Sequence, residues 1–185
     1  MQQTDTKTKL SIDRLDVRIA VAVAICYLTA TILDVLNIKF TYGTMHLEII
    51  QKMTACITCL LCCQDDQPSS RKAGINRLII TAIGGIVAIV MIALDDLIQN
   101  PWVMVPLAFV GILLTLSFCK AAKVPYINAR IGGVTFILVS TTLSGSSRII
   151  YGIFRFVSTF YGVLIVMLVG WIFSSLSKKV ERPNF

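Results

Sequence analysis

The stretch GINRLIITAIGG, residues 74–85, returns 78 residues later as GIFRFVSTFYG, residues 152–162. Five of the eleven positions from 74 to 84 are identical to their counterparts: Gly74 and Gly152, Ile75 and Ile153, Arg77 and Arg155, Thr81 and Thr159, Gly84 and Gly162. A return at a fixed period marks a chain built from related units. Both copies open long apolar runs, so the units belong to a membrane protein. If each unit holds three spans, an odd number, the second must sit upside down relative to the first, as in the inverted repeats of many secondary transporters. Function is then expected where the two units meet.

Composition supports this reading independently. Hydrophobic residues make up 56% of the 185 and charged residues 15%, with a mean hydropathy of +0.79. A soluble domain is about 45–50% apolar with roughly 25% charge. Spans of about 20 mostly apolar residues fit at Val17–Leu36, Thr44–Cys63, Ile75–Leu94, Pro101–Cys119, Ile127–Leu143 and Ile149–Phe173. The fold expected is an all-α membrane protein of six transmembrane helices arranged as two inverted three-helix repeats, residues 15–97 and 100–176. Polar tails at 1–14 and 177–185 flank them. The first tail lacks the small-residue cleavage pattern of a signal peptide and leads into a full-length span.

Lysine and arginine counts in loops orient a membrane protein. From the N-terminus, the segments outside the spans hold three (Lys7, Lys9, Arg14), one (Lys39), two (Arg71, Lys72), none, two (Lys120, Lys123), one (Arg148) and three (Lys178, Lys179, Arg182). This alternation puts both termini in the cytoplasm and the loops near Lys39, Asp95 and Arg148 outside, in the plasma or inner membrane. The net charge of +7 then reads as a sorting signal and an attraction to anionic lipid, not as a nucleic-acid footprint. Aromatic residues agree: Tyr42, Trp102 and Tyr151 fall near outer span ends, Tyr126 and Trp171 near inner ones.

Cys56, Cys59, Cys62 and Cys63 invite a metal or redox reading. Steps of three inside a span instead place Cys56, Cys59 and Cys62 along one drifting side of a helix, unlike a loop that wraps a tetrahedral ion. Small residues at such spacing serve close helix packing in lipid. Lipidation of Cys62 or Cys63 at the cytoplasmic edge is a third reading. With Cys26 and Cys119 also in spans, no disulfide framework is indicated, and no metal or other cofactor is expected.

Ionisable residues in spans are the better functional candidates, because a charge in hydrocarbon is costly and faces the protein interior or a wet cavity. Arg77 and Arg155 each enter the membrane just after a loop. Either they snorkel to the headgroups, or they act beyond anchoring, as the return of the whole Arg/Thr/Gly frame suggests. Gly84, Gly85 and Gly162 admit a close neighbouring backbone, and Thr81 and Thr159 are placed to hydrogen-bond across that contact. The same 78-residue offset carries Lys52 onto Arg130, giving four basic positions as an expected cradle for a substrate anion. Glu48 precedes Lys52 by four residues and can pair with it on the helix. Asp34, Glu48, Asp95 and Asp96 lie toward the outer face, as loop solubilisers or as groups for proton coupling. His46, the only histidine, is either a pH sensor or an ordinary interfacial residue.

Gln64 at the end of the second span, a loop rich in Ser and basic residues, then Gly74-Ile-Asn-Arg77, Thr81, Gly84 and Gly85 resemble the membrane domain of the fusaric acid resistance and aromatic acid exporter superfamily. Arg155, Thr159 and Gly162 are similar to the entry into that domain's last helix. The resemblance covers residues 15 to about 174. It implies export of small organic acids, aromatic carboxylates in particular, driven by the proton gradient. Members often have Gly just before the motif threonine, where this chain has Ile80 and Ser158. Many also carry a cytoplasmic domain or a second membrane half, so a unit of this size is expected to pair with itself, a homodimer being the simplest closed assembly. The alternative function is a membrane scaffold or accessory subunit with the same fold. An enzyme is not expected: there is no nucleophile–base pair, no HExxH signature and no phosphate-binding loop.

Overall fold

The computed structural model describes the backbone of residues 13–37, 39–42, 45–98, 100, 102–142 and 147–180, and the side chains of these residues except 39–47 and 176–180. The expected tails thus lie largely outside the described residues, as do the side chains of Lys39, Tyr42 and His46. The elements run α1 (Arg14–Val35), β1 (Lys39–Tyr42), β2 (Met45–Glu48), α2 (Lys52–Cys62), α3 (Gln67–Ile98), α4 (Met104–Ala121), α5 (Tyr126–Thr141) and α6 (Ser147–Val180). Helix α1 starts at a reciprocal cap between Asp13 and Asp16, which satisfies backbone N–H groups that a helix start leaves open. Asp66 caps α3 by accepting from the Ser69 N–H at 3.1 Å.

Four helices, α1, α3, α4 and α6, are long and apolar enough to cross a membrane. With the many apolar side chains that the bundle turns outward, among them Ile86, Phe109, Leu113, Phe160 and Leu168, they make this a multi-pass membrane protein. The second expected span, Thr44–Cys63, is corrected. Its first part is strand β2, paired antiparallel with β1 from Lys39–Glu48 to Tyr42–Met45, and helix begins only at Lys52. The polar residues His46, Glu48, Gln51 and Lys52 break the apolar run, and a hairpin satisfies the backbone there without a helix. The 11 residues of α2 rise about 16 Å, against about 30 Å of hydrocarbon. The fifth helix is short too, at 16 residues.

The helices alternate in direction between two ends. Asp34, Lys52, Asp95 and Arg148 meet at the hairpin end, while Arg18 reaches the α2–α3 loop at the opposite end. At the centre α3 and α6 run antiparallel: Gln67 lies beside Gly170, Gly74 against Val163, and Asp95 pairs with Arg148. The middle of that crossing falls near Thr81 and Thr159.

Packing on either side of the crossing follows one plan. Helix α6 packs on α1 and α2, and α3 packs on α4 and α5. Ala22, Cys26, Ala55, Cys59, Val163 and Val166 form one core; Val87, Ala88, Phe136 and Val139 form a second. Each three-helix segment therefore lends its last helix to the core of the other.

Candidate functional site

The repeated frame builds the crossing. Arg77, Thr81 and Gly84 are buried on α3, and Arg155, Thr159 and Gly162 on α6. A Cβ at Gly84 would lie 2.6 Å from the Gly132 carbonyl and 3.2 Å from the Thr135 Cβ. A Cβ at Gly162 would lie 2.9 Å from the Ala55 carbonyl and 2.9 Å from the Thr58 Cβ. The two contacts are the same contact made twice. Only a residue without a Cβ lets backbones approach so closely. Gly85 is different, since a Cβ there meets nothing within 4 Å.

These contacts also set the register. Gly132 and Thr135 follow Ala55 and Thr58 by 77 residues, while Gly162 follows Gly84 by 78. The expected match of Lys52 with Arg130 is therefore corrected, because at this register Lys52 corresponds to Ala129. Lys52 donates to Asp34 at 2.8 Å, with Glu48 at 3.9 Å, so the nearer partner is Asp34 rather than the helical neighbour Glu48. Arg130 is exposed and lies over the Tyr126 ring, 4.9 Å from its centroid. Neither joins Arg77 and Arg155.

The expected bonding of the threonines across the contact is also corrected. Thr81 Oγ1 donates to the Arg77 carbonyl and Thr159 Oγ1 to the Arg155 carbonyl, both at 2.9 Å. Each hydroxyl is used inside its own helix, one turn back, as threonine often does when buried in a helix.

Arg77 and Arg155 keep their side chains inside the bundle, at 4% and 3% exposure. The snorkelling alternative requires exposed heads, so it does not describe them. Nη1 of Arg155 donates to Thr54 Oγ1 at 3.2 Å, while its Nε has no partner. Nε and Nη1 of Arg77 have none either. Among the described residues no carboxylate pairs with either arginine. An uncompensated charge in a protein interior costs several kcal/mol.

The acids named from the sequence lie elsewhere and are engaged. Asp34 and Glu48 face Lys52, and Asp95 and Asp96 face Arg148 at 3.3 and 3.9 Å. The cysteines pack: Cys26 and Cys59 touch at 3.2 Å between α1 and α2, and Cys62 and Cys63 are buried. Two polar residues escaped sequence reasoning. Arg18 was hidden by its place just inside the first span, although it begins a four-residue stripe with Ala22, Cys26 and Ala30, all buried. Thr54 carried no signal at all, since its role depends on α6.

No curated protein and no solved structure matches the chain. The model of the fusaric acid resistance protein-like family matches residues 40–169, a span that takes in most of the hairpin and both copies of the repeated frame. The chain belongs to the fusaric acid resistance protein-like family.

Proposed function

We propose that the protein is a secondary active exporter of small organic acid anions, aromatic carboxylates in particular. The observation that carries the reading is the two buried arginines of the repeated frame, with three nitrogens lacking a partner and no carboxylate paired with them among the described residues. A carboxylate bound there offsets their buried charge and takes up the open donors, through charge-assisted hydrogen bonds stronger than neutral ones. An apolar ring is accommodated by the surrounding helices. No side chain with a role in covalent chemistry is invoked.

In this reading the two three-helix segments are inverted repeats, related by an axis in the membrane plane that passes near Thr81 and Thr159. The reused glycine contacts and the exchange of α3 and α6 between cores support it. Alternating access follows as rocking of one repeat against the other about the Gly84–Gly132 and Gly162–Ala55 contacts. Both termini are cytoplasmic, and a homodimer is the working assembly. Proton coupling, if carried by the acids, runs through the ion pairs at the hairpin end.

Uptake of labelled benzoate into inverted vesicles, with and without a protonophore, tests the transport. Saturable uptake that collapses with the gradient is expected; uptake equal to that of empty vesicles would leave a scaffold. Orientation is tested by single cysteines at Gln3, Leu97 and Val180 in a cysteine-free background. Only the one at position 97 should label from outside.

A further inference from the structure

We infer that the bundle carries a second oxyanion site, at the end where α1 begins, formed by Arg18 and Gln67 over Gly170. It is separate from the arginine pair at the crossing and rests on no step of transport. Arg18 is about nine-tenths buried, at 9% exposure. Its Nη1 donates to the Asp65 carbonyl at 2.8 Å, which fixes the plane of the guanidinium. Its Nε and Nη2 are buried without a partner, and so is Nε2 of Gln67.

These open donors converge. A Cβ on Gly170 would lie 2.6 Å from Gln67 Nε2 and 3.0 Å from Arg18 Nη2. Both nitrogens therefore lie against the bare Cα of Gly170, an approach that only a residue without a side chain allows. Glycine inside a helix costs about 1 kcal/mol relative to alanine, so the close approach of the two donors is kept at a cost. The counterpart of Gly170 one repeat earlier, at the 78-residue offset, is Ile92, which is fully buried in an apolar core. One end of the bundle is filled with hydrocarbon where the other presents N–H groups.

The nearby acids do not close the site. Asp65 engages Arg18 through its backbone, and the Asp66 carboxylate is occupied by Ser69. A guanidinium edge and an amide N–H side by side suit a ligand with two acceptor oxygens on one centre, a carboxylate or a phosphate. Near the first turns of α1, such an oxyanion can come from a lipid headgroup or from solution.

The test uses the full chain purified in a neutral maltoside detergent. Binding is followed by titration calorimetry and thermal unfolding with three probes: phosphatidylglycerol, inorganic phosphate and benzoate. Saturable binding of at least one is expected, with Kd raised at least tenfold in Arg18→Gln and in Gly170→Ala, and unchanged in the exposed control Arg130→Gln. Response to phosphatidylglycerol alone identifies a headgroup site; response to phosphate or benzoate identifies a free-anion site. Because Arg18→Gln also loses the bond to Asp65, Gly170→Ala decides the matter: its methyl meets only the ends of two side chains and pushes both donors out of place. No saturable binding of any probe, or binding that Gly170→Ala leaves unchanged, would overturn the site. Benzoate binding lost in Arg77→Gln but kept in Gly170→Ala belongs to the crossing and counts against this site.

Discussion

At the hairpin end, Lys52 and Arg148 are each held by carboxylates, Asp34 and Glu48 for the one, Asp95 and Asp96 for the other. Elsewhere in the bundle Arg18, Arg77 and Arg155 are more deeply buried and have no carboxylate partner among the described residues. Pairing makes a charge part of the scaffold, since removing one member strands the other. An unpaired buried charge lowers stability, so its retention points to something that binds it. Paired charges that hold the fold thus stand apart from unpaired ones, which in the function proposed above bind an anion.

The largest expected effect comes from breaking a pair. Arg148 and Asp95 side chains are only 14% and 17% exposed, so Arg148→Ala should cost about 3 kcal/mol, the range for stranding a buried partner. Thermal unfolding in detergent measures it, and Arg148→Ala combined with Asp95→Ala should recover part of the loss. Arg77→Met should do the reverse: stability is kept or rises, because a buried charge is replaced by apolar packing. A large loss in Arg77→Met would erase the distinction between paired and unpaired charges.

Next in size are the glycine contacts at the crossing. Gly84→Ala and Gly162→Ala each push a methyl into a backbone carbonyl and should cost about 1–3 kcal/mol. Gly85→Ala meets nothing and should be neutral, or stabilising by up to about 1 kcal/mol. Equal effects at Gly84 and Gly85 would contradict the contact.

Smaller still is Lys52→Met. Its side chain and that of Asp34 are 28% and 32% exposed, so the pair contributes little and should weaken with added salt. The smallest effect belongs to Asp66. The Ser69 hydrogen bonds hold its carboxyl below the usual carboxylate range. Its contribution is therefore present at neutral pH and is lost only as the pH falls through that lowered value. A slight fall in Tm for Asp66→Ala at pH 7, vanishing in strong acid, is the expected result.

Much of this arrangement was legible in the chain. The Arg/Thr/Gly frame marked the crossing, and the long apolar runs gave α1, α3, α4 and α6 because twenty apolar residues have few other uses. The segment before Lys52 was not legible as a hairpin: Thr44–Ile50 is apolar enough to extend a helix on paper, and strand pairing is a contact between segments. The Lys52–Arg130 match failed by one residue, since α2 and α5 repeat at 77 and not at 78. That slip turns a charge onto alanine. Arg18 was invisible for a different reason, because a window that averages hydropathy absorbs a single arginine at its edge.

The central claim is that Arg77 and Arg155 bind the transported anion, and efflux measured against folded protein tests it most directly. Proteoliposomes holding matched amounts of folded chain would be loaded with labelled benzoate, comparing wild type with Arg77→Gln, Arg155→Gln and the two lysine replacements. The account predicts at least a tenfold loss of normalised efflux in each glutamine variant, from the removal of a charge-assisted contact. Lysine should rescue only in part, because it lacks the planar fork that grips a carboxylate at two points. Full normalised efflux in both glutamine variants would contradict it.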